Sequence, residues 1–243
     1  MDNPVRDQPA GGLEVFAEVS RIIVVGAHAD DMETLAGGTL RLLAGRGVEI
    51  YELICTQGDL GAHDETYTRQ SLAEARKQEA AGGASLLGVG EVVTLDYHDG
   101  ELEPTLELRA AIAGYYRLWQ PDALLTFDPS WAGQIHPDHR AAGRAAVDAL
   151  MPARMPLYRP EQLMDRRTAE IKRVFFFSPA SPSIFVDVSA VYEHKVAAAL
   201  AHRSQFPEGD KSLDWMRELD SQAAKRSGAG MQYAEQFDEL RLW

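Results

Sequence analysis

Short apolar runs alternate with helical segments over the first half of the chain, and this alternation limits the fold more than any other sequence feature. Residues 21–27 (RIIVVGA) are almost entirely apolar, as expected for a strand that is buried on both faces. A helical pattern follows at residues 34–45, and residues 49–56 predict a second strand. This βαβ beginning favours a parallel sheet that is covered by helices.

The same alternation continues toward the middle of the chain. Strands are predicted at residues 91–95 and 123–127, and helices at 67–87, 106–119 and 137–150. Residues 151–160 hold three prolines and two methionines and are predicted to form a loop. Later strands are predicted at 174–177 and 184–188, and a helix at 191–203.

Together these elements predict one α/β domain with a Rossmann-like, mostly parallel sheet and helices on both faces. A polar lead occupies residues 1–20, and a helical C-terminal extension is predicted for residues 207–243.

The acidic composition limits the partners that we expect. The chain has 24 Lys and Arg against 37 Asp and Glu, which gives a formal net charge of −13 and disfavours nucleic acid or an acidic membrane as partner. Its one cysteine, Cys55, lies in a predicted strand, and no apolar stretch follows a basic flank at the N-terminus. We therefore expect a cytoplasmic protein that acts on a small molecule, with homo-oligomer formation left open.

A histidine and two aspartates lie where the first predicted strand meets the first helix. Ligands of open α/β sheets bind just beyond the carboxyl ends of the strands. His28 and Asp31 are three residues apart, so both side chains can face one point, and zinc accepts this ligand pair. Asp30 is left as a free carboxylate that can take a proton from a water, because a nearby metal lowers the pKa of water.

A second cluster, His136-Pro137-Asp138-His139, occupies the equivalent place after the strand at 123–127. If His139 supplies a third ligand, the site has the open pattern of catalytic zinc, and His136 remains as a candidate acid. The alternative is that both clusters are helix caps and polar surface groups.

Several motifs resemble those of the LmbE-like, or PIG-L, de-N-acetylases. AHADDMETLAGGTL is similar to the family signature AHPDDE…GGT, and HPDH is similar to its second signature. Further resemblance is carried by CTQGDLG, ARKQEAAGGASLLGV, DYHDGEL and KVAAALAHRSQF, so that it extends over residues 21–206. The resemblance implies an LmbE-like fold and a divalent metal, Zn²⁺ or another such as Fe²⁺. It also implies hydrolysis of an N-acetyl group on an N-acetylglucosamine-type sugar or conjugate.

The resemblance also implies roles for individual residues. His28, Asp31 and His139 would bind the metal, and Asp30 would be the general base. His136 would stabilise the oxyanion or protonate the leaving amine. The spacing of the residues leads to the same set.

Other residues are candidates for contacts with substrate. Arg76 and Asp99 resemble family residues that contact sugar hydroxyls, although Arg76 can equally be a surface charge of its helix. His202 belongs to the late His-x-Ser-Gln motif and can approach the pocket or simply pack between helices. Trp131 precedes the second histidine cluster and is predicted to line the acceptor side.

Two residues are predicted to support the reaction, and two positions depart from the signature. Asp138 is predicted to orient His136. Gln134 stands where some relatives carry a tyrosine that assists the oxyanion, and its amide can still donate. Ala29 and Met32 replace the usual proline and glutamate, and neither change removes a ligand.

Other functions are kept as alternatives. The enzyme can hydrolyse another amide, such as a thiol conjugate, and a metal phosphoesterase would use similar residues. A catalytically silent metal- or nucleotide-binding module is a further alternative. It is disfavoured because no G-x-G-x-x-G follows the first strand, and two aspartates stand where a phosphate would need backbone amides.

Overall fold

The computed structural model describes residues 12–62, 64–163 and 167–242. The strands are β1 (Arg21–Gly26), β2 (Glu49–Thr56), β3 (Glu91–Tyr97), β4 (Ala123–Phe127), β5 (Arg173–Phe177), β6 (Ile184–Asp187) and β7 (Ala234–Arg241). The helices are α1 (Asp31–Gly45), α2 (Arg69–Leu87), α3 (Leu106–Trp119), α4 (Pro137–Asp148), α5 (Leu150–Arg154), α6 (Tyr192–Ala199) and α7 (Asp214–Ser227).

The strands form a seven-stranded sheet in the order β3-β2-β1-β4-β5-β7-β6. The first five strands run parallel, and β7 is antiparallel to both β5 and β6. Helices α1, α2 and α6 pack together with α7 against one face, and α3, α4 and α5 lie on the other. This confirms the predicted mostly parallel α/β sheet with helices on both faces. No helix among the described residues has both the length and the apolar character needed to cross a membrane.

Helix α1 begins three residues earlier than its apolar pattern predicts. Asp31 is its first residue, and the Oδ2 of Asp31 accepts the backbone N–H groups of Ala27 and His28 at 2.7 and 2.8 Å. Thr34 Oγ1 donates to the carbonyl of Asp30 at 2.8 Å. These short-range hydrogen bonds close the turn between β1 and α1, and they place Asp31 at the carboxyl end of the strand.

The glycine pair within α1 allows close packing. A Cβ added at Gly38 would lie 2.6 Å from the Cβ of Val188, so a larger residue would push the helix away from the segment after β6. The GGT part of the signature thus sets the position of α1 against its neighbours.

Three predicted segments differ from the structure. The helix predicted at 137–150 ends at Asp148, and α5 forms within the segment that was predicted to be a loop. Pro152 does not prevent α5, because it lies in the first turn, where a backbone N–H has no helical partner. The helix predicted at 191–203 also ends earlier, at Ala199. Of the polar lead, residues 1–11 lie outside the described residues, and Leu13–Phe16 form a 3₁₀ helix.

The C-terminal extension is helical only in part, which corrects the prediction. It contains α7 but also β7, which inserts between β5 and β6. Glu235 of β7 is buried and accepts the backbone N–H groups of Gly38 and Thr39 at 2.9 and 2.7 Å, and it pairs with Lys195 at 2.9 Å. A charged residue at a buried position hides the strand pattern, because that pattern is recognised by its apolar inward positions.

Arg117 holds the segment after α4. Its guanidinium is buried and donates to the backbone carbonyls of Pro152, Ala153, Met155, Tyr158 and Arg159. We expect Arg117→Ala to lower the free energy of unfolding by about 3 kcal/mol, because five carbonyls, one buried and four partly buried, lose their charged donor. Arg144→Ala removes only an exposed ion pair with Asp148 and is expected to cost at most about 0.5 kcal/mol. Urea unfolding of both variants tests this, and equal midpoints would contradict it.

Candidate active site

The two histidine clusters meet at one edge of the sheet. His28 is the second residue after β1, and His136 is the N-cap residue of α4, which follows the loop after β4. Because β1 and β4 pair side by side and run in parallel, their carboxyl ends bring both clusters together. The strand order also reverses at this point, since the chain passes from β1 to β2 on one side and reaches β4 on the other.

Three donor atoms of the predicted metal ligands lie around a common point. His28 Nδ1 is 3.1 Å from His139 Nε2 and 3.7 Å from Asp31 Oδ1, and the latter two atoms are 3.3 Å apart. Tetrahedral zinc with bonds of about 2.1 Å needs donor atoms about 3.4 Å apart, so these distances fit a bound metal. The other oxygen of Asp31 is held by the backbone amides that close the turn.

The second nitrogen of His28 faces two more carboxylates. His28 Nε2 lies 3.1 Å from Asp99 Oδ1 and 3.5 Å from Asp138 Oδ2. Donor atoms of His28, Asp99 and Asp138 therefore form another group that could hold a metal, as do those of His28, His136 and His139. A carboxylate behind the far nitrogen is also what a metal-binding histidine commonly has.

The electrostatics of the site favour a positive charge. Burial alone would lower the pKa of His28, but Asp138, Asp31 and Asp99 raise it to about 12. Burial would raise the pKa of Asp31, but His139 and His28 lower it well below its usual range. The pKa of Asp99 is likewise lowered against burial, to about 2, by His28 and Arg76. A cation placed among these groups would be stabilised by the same carboxylates.

Asp30 and Arg76 form an ion pair beside this point. Arg76 Nη2 donates to Asp30 Oδ1 at 2.5 Å. Arg76 is only 3% exposed, so it is not a surface charge of its helix, which was the alternative interpretation. Gly58 has φ 62°, and a Cβ there would lie 2.7 Å from Arg76 Nε, so only glycine leaves room for the guanidinium. The Asp30 side chain remains partly exposed to the cavity.

His136 is held by the backbone of its own turn. Its Nδ1 accepts the N–H of Asp138 at 3.3 Å, so the proton of the neutral ring lies on Nε2. The ring stacks on His139 with centroids 4.5 Å apart, and burial together with His139 and His28 lowers the pKa of His136. Gln134 Oε1 accepts the backbone N–H of His136 at 3.2 Å, which leaves the amide nitrogen of Gln134 as its donor.

The carboxylate of Asp138 connects two loops. It is fully buried and accepts the backbone N–H groups of Gly100 and Leu102 at 2.7 and 3.3 Å. Asp138 therefore contacts His136 through its backbone amide. The carboxylate of Asp138 instead faces His28 and the loop after β3. Asp138 thus holds this loop, which carries Asp99, against the start of α4.

A cavity of about 450 Å³ opens onto these residues. It is lined by His28, Asp30, Asp31, Thr34, Leu35, Leu60, Gly61, Arg76, Asp99, Phe127, Gln134, His136, His139, Ser178, Gln205 and Trp215. Trp131 does not line it and lies against Gly133 instead, so its predicted contact with substrate remains a prediction. Sequence reasoning assigned no role to Ser178 or Trp215. Gln205 could have been found from the sequence, because it belongs to the His-x-Ser-Gln motif.

His202 lies away from the cavity surface. It is fully buried, and its Nε2 is 3.4 Å from Oε1 of the buried Glu33. This placement agrees with the alternative of a histidine that packs between helices, and it does not support the predicted contact with substrate. A Cβ at Gly83 would lie 2.6 Å from the same glutamate oxygen, so α2 approaches this pair closely.

The chain matches one protein family and several named relatives. The family described as PIG-L, GlcNAc-PI de-N-acetylase, matches residues 23–150. Diacetylchitobiose deacetylase of Thermococcus kodakarensis is 33% identical over 91% of this chain and 84% of its own length. A Bacillus cereus protein named "probable N-acetyl-alpha-D-glucosaminyl L-malate deacetylase 2" is 30% identical over 76% of this chain and 83% of its own length.

A solved structure supports the same relationship. N,N'-diacetylchitobiose deacetylase from Pyrococcus horikoshii, in complex with its inhibitor MPG, superposes with a TM-score of 0.86 and 28% identity. The match covers 93% of this chain and 85% of that chain, so it extends beyond the region that the family description matches.

Proposed function

Since the chain belongs to the PIG-L (LmbE-like) de-N-acetylase family, we propose that it is a metal-dependent hydrolase of N-acetylglucosamine-type sugars or their conjugates. Water adds to the acetyl carbonyl, the C–N bond breaks, and acetate and a free amine leave. The observation that carries this proposal is the set of three donor atoms, 3.1 to 3.7 Å apart, beside Asp30 and His136 in one open cavity.

We assign the metal to His28 Nδ1, Asp31 Oδ1 and His139 Nε2. The three distances match the donor spacing of a tetrahedral zinc site, so these residues would hold a divalent cation. The group around His28 Nε2 fits less well, because the oxygens of Asp138 already accept two backbone amides. Nitrogen and oxygen donors in this pattern suit Zn²⁺, and Fe²⁺ is the alternative. A bound divalent cation would polarise a water and the acetyl carbonyl.

Asp30 is the general base of the proposed reaction. Its carboxylate lies at the cavity and can take the proton of the attacking water. Arg76 is buried and fixes one oxygen of Asp30 at 2.5 Å, so the other oxygen can face the water. In this arrangement Arg76 is a positioning residue for Asp30, and its predicted contact with sugar hydroxyls is an additional role.

His136 supplies a donor for the developing oxyanion. Because its Nδ1 accepts the backbone amide of Asp138, the Nε2–H is directed away from that turn. A hydrogen bond to the oxygen of the acetyl group stabilises the tetrahedral state, and the same proton can pass to the leaving amine. The amide of Gln134 is the second donor in this proposal, since Gln134 also lines the cavity.

Asp99 orients the metal ligand His28. Its Oδ1 accepts from His28 Nε2 at 3.1 Å, which places the proton on Nε2 and leaves Nδ1 free for the metal. Asp99 also lines the cavity, so it can contact a sugar hydroxyl in addition. Asp138 supports this arrangement by holding the loop that carries Asp99.

We expect the enzyme to release a primary amine in a reaction that a chelator stops. We expect about one metal ion per chain. We also expect fluorescamine-detected amine from N-acetylglucosamine or its conjugates, with loss of the signal after chelation and recovery when Zn²⁺ is added. Exposed sites that bind metal weakly do not interfere if the protein is first dialysed. Stoichiometric metal with hydrolysis of thiol-conjugate amides or phosphate esters alone would favour those alternatives. A protein that binds no metal would contradict the mechanism.

A further inference from the structure

We propose that Gln205 is a specificity-determining residue, which requires a free hydroxyl group on the acetamido sugar ring at a place that Gly61 leaves open. This inference rests on the proposed deacetylase function and concerns how the enzyme selects the reacting ring. Gln205 lies in the turn after α6, outside residues 23–150, to which the family description matches. Gly61 lies in the loop after β2, and both residues line the cavity that holds the proposed metal ligands.

Three polar atoms surround the open space beside Gly61. A Cβ added at Gly61 would lie 3.4 Å from Gln205 Oε1 and 3.7 Å from Arg76 Nη1. The same Cβ would lie 3.9 Å from Asp99 Oδ2, which is 4.0 Å from Arg76 Nη1. A group of the size of a hydroxyl therefore fits in this space, within reach of one donor and two acceptors.

The hydrogen bonds of Gln205 determine which end of its amide faces this space. Its Nε2 donates to the carbonyl of Gly61 at 2.9 Å, and because a carbonyl can only accept, the nitrogen must lie on that side. The same Nε2 donates to Ser204 Oγ at 3.1 Å. Ser204 is held in turn by Glu79, whose carboxylate accepts its hydroxyl at 2.7 Å and its backbone N–H at 2.8 Å. Both N–H bonds of the amide are thus used, and Oε1 remains as an acceptor at the cavity.

All three polar atoms have capacity for a ligand. Arg76 donates to Asp30 through its other nitrogen, Nη2. Asp99 accepts from His28 through its other oxygen, Oδ1. Within the described part of the chain, no hydrogen bond involves Arg76 Nη1, Asp99 Oδ2 or Gln205 Oε1. A hydroxyl can donate to Gln205 and accept from Arg76 at the same time, and Asp99 can accept from a neighbouring hydroxyl.

The same arrangement rejects a sugar whose hydroxyl at this place is substituted. An ether or ester oxygen has no proton for Gln205 Oε1, so this acceptor would be covered without a partner. The substituent would also need the space beside Gly61. A phosphate or carboxylate would face the oxygens of Asp99 and Gln205, and the guanidinium of Arg76 is already paired with Asp30. Gln205 therefore selects for an unmodified ring.

Gly61→Ala fills the space and keeps all three polar side chains. Gly61 does not have a positive φ, and the new Cβ would make only ordinary van der Waals contacts, so we expect an unchanged melting temperature. KM for N-acetylglucosamine should rise about tenfold. The Kd of the product D-glucosamine, measured by calorimetry, should rise in parallel because this contact does not depend on turnover. Gly45→Ala adds a Cβ with no atom within 4 Å and is the control with unchanged KM.

Deoxy sugars test the oxygen of Gln205. The metal-loaded, full-length enzyme is assayed with N-acetylglucosamine and its 3-deoxy, 4-deoxy and 6-deoxy forms. At least one deoxy form should lose kcat/KM about tenfold in the wild type, because Oε1 is left without a donor. Gln205→Met has a side chain of similar length without the carbonyl oxygen. It should lose about as much on N-acetylglucosamine, and less than about threefold more on that deoxy form.

The double comparison separates recognition from a structural role of Gln205. If Gln205 only held the loop of Gly61, the loss in Gln205→Met would add in full to every deoxy loss, and this result would overturn the inference. An unchanged KM in Gly61→Ala would also overturn it, as would equal wild-type activity on N-acetylglucosamine and its 3-O-, 4-O- and 6-O-methyl ethers. Absence of amine release from all these substrates by the metal-loaded wild type would instead contradict the deacetylase function itself.

Discussion

Asp30→Ala is expected to lose about three orders of magnitude in kcat while keeping its full metal content. This loss in kcat is the one expected when a general base is removed, because a general base raises the rate about 10²- to 10⁴-fold. The metal is retained because the three donor atoms belong to His28, Asp31 and His139, and Asp30 contributes none of them. The measurement is amine release together with metal analysis of the same preparation.

Two controls separate chemistry from local structure. Asp30→Asn keeps the size of the side chain and a carbonyl oxygen for Arg76, so it should fold normally and still lose most of the activity. Asp148→Ala removes a carboxylate from α4 that pairs with Arg144 on the surface, and it should leave kcat unchanged. An Asp30→Ala enzyme within about tenfold of the wild-type rate would remove Asp30 from its role.

His139→Ala is expected to lose both the metal and the activity. It removes one of three protein ligands, so metal affinity should fall by more than about a hundredfold, the upper end of what loss of an outer hydrogen-bonding partner costs. Asp99→Asn changes only the partner of His28 Nε2 and should weaken metal binding by about 10- to 100-fold. Competition with a chromogenic chelator gives both affinities.

The relative loss of metal affinity in His139→Ala and Asp99→Asn distinguishes the two candidate metal sites. Full metal binding by His139→Ala, with loss of metal in Asp99→Asn, would place the ion at His28 Nε2 and Asp138 instead. Circular dichroism and melting temperatures of the metal-free variants show whether the fold is kept in each case.

The sheet could be predicted largely from hydrophobic periodicity. The strand at 123–127 and the helix at 106–119 have the predicted bounds, because their apolar residues face the core in a regular pattern. β7 could not be predicted in this way, since Glu235 occupies a buried position and is satisfied by Lys195 and by amides of α1. Long-range polar contacts of this kind leave no periodic signal.

The residues of the candidate site were predicted from two short motifs and from a fold rule. Parallel strands place their carboxyl ends at one edge, so His28 and His139 were expected to meet although they are 111 residues apart, and the structure brings them to 3.1 Å. The partners of a side chain are less predictable. Arg76 was predicted to contact a sugar, with a surface charge as the alternative. The structure buries its guanidinium, and this burial depends on the space above Gly58.

The remaining walls of the cavity depend on tertiary structure. Ser178 and Trp215 come from segments with no recognised motif, and only the sheet order and the packing of α7 bring them to the cavity. His202 shows the opposite case, because it belongs to a motif and is nevertheless buried against Glu33. A motif gives the type of chemistry, and the packing decides which of its residues reach the ligand.

X-ray absorption spectroscopy at the zinc edge of the purified protein tests the metal assignment most directly. We expect one zinc with four nitrogen or oxygen neighbours at about 2.0 to 2.2 Å, two of them imidazoles. Both imidazoles should remain in His136→Ala, whereas His139→Ala, which loses the metal, should no longer give this zinc signal. Zinc bound to a single imidazole in the wild type, or a site that needs His136, would contradict the assignment to His28, Asp31 and His139.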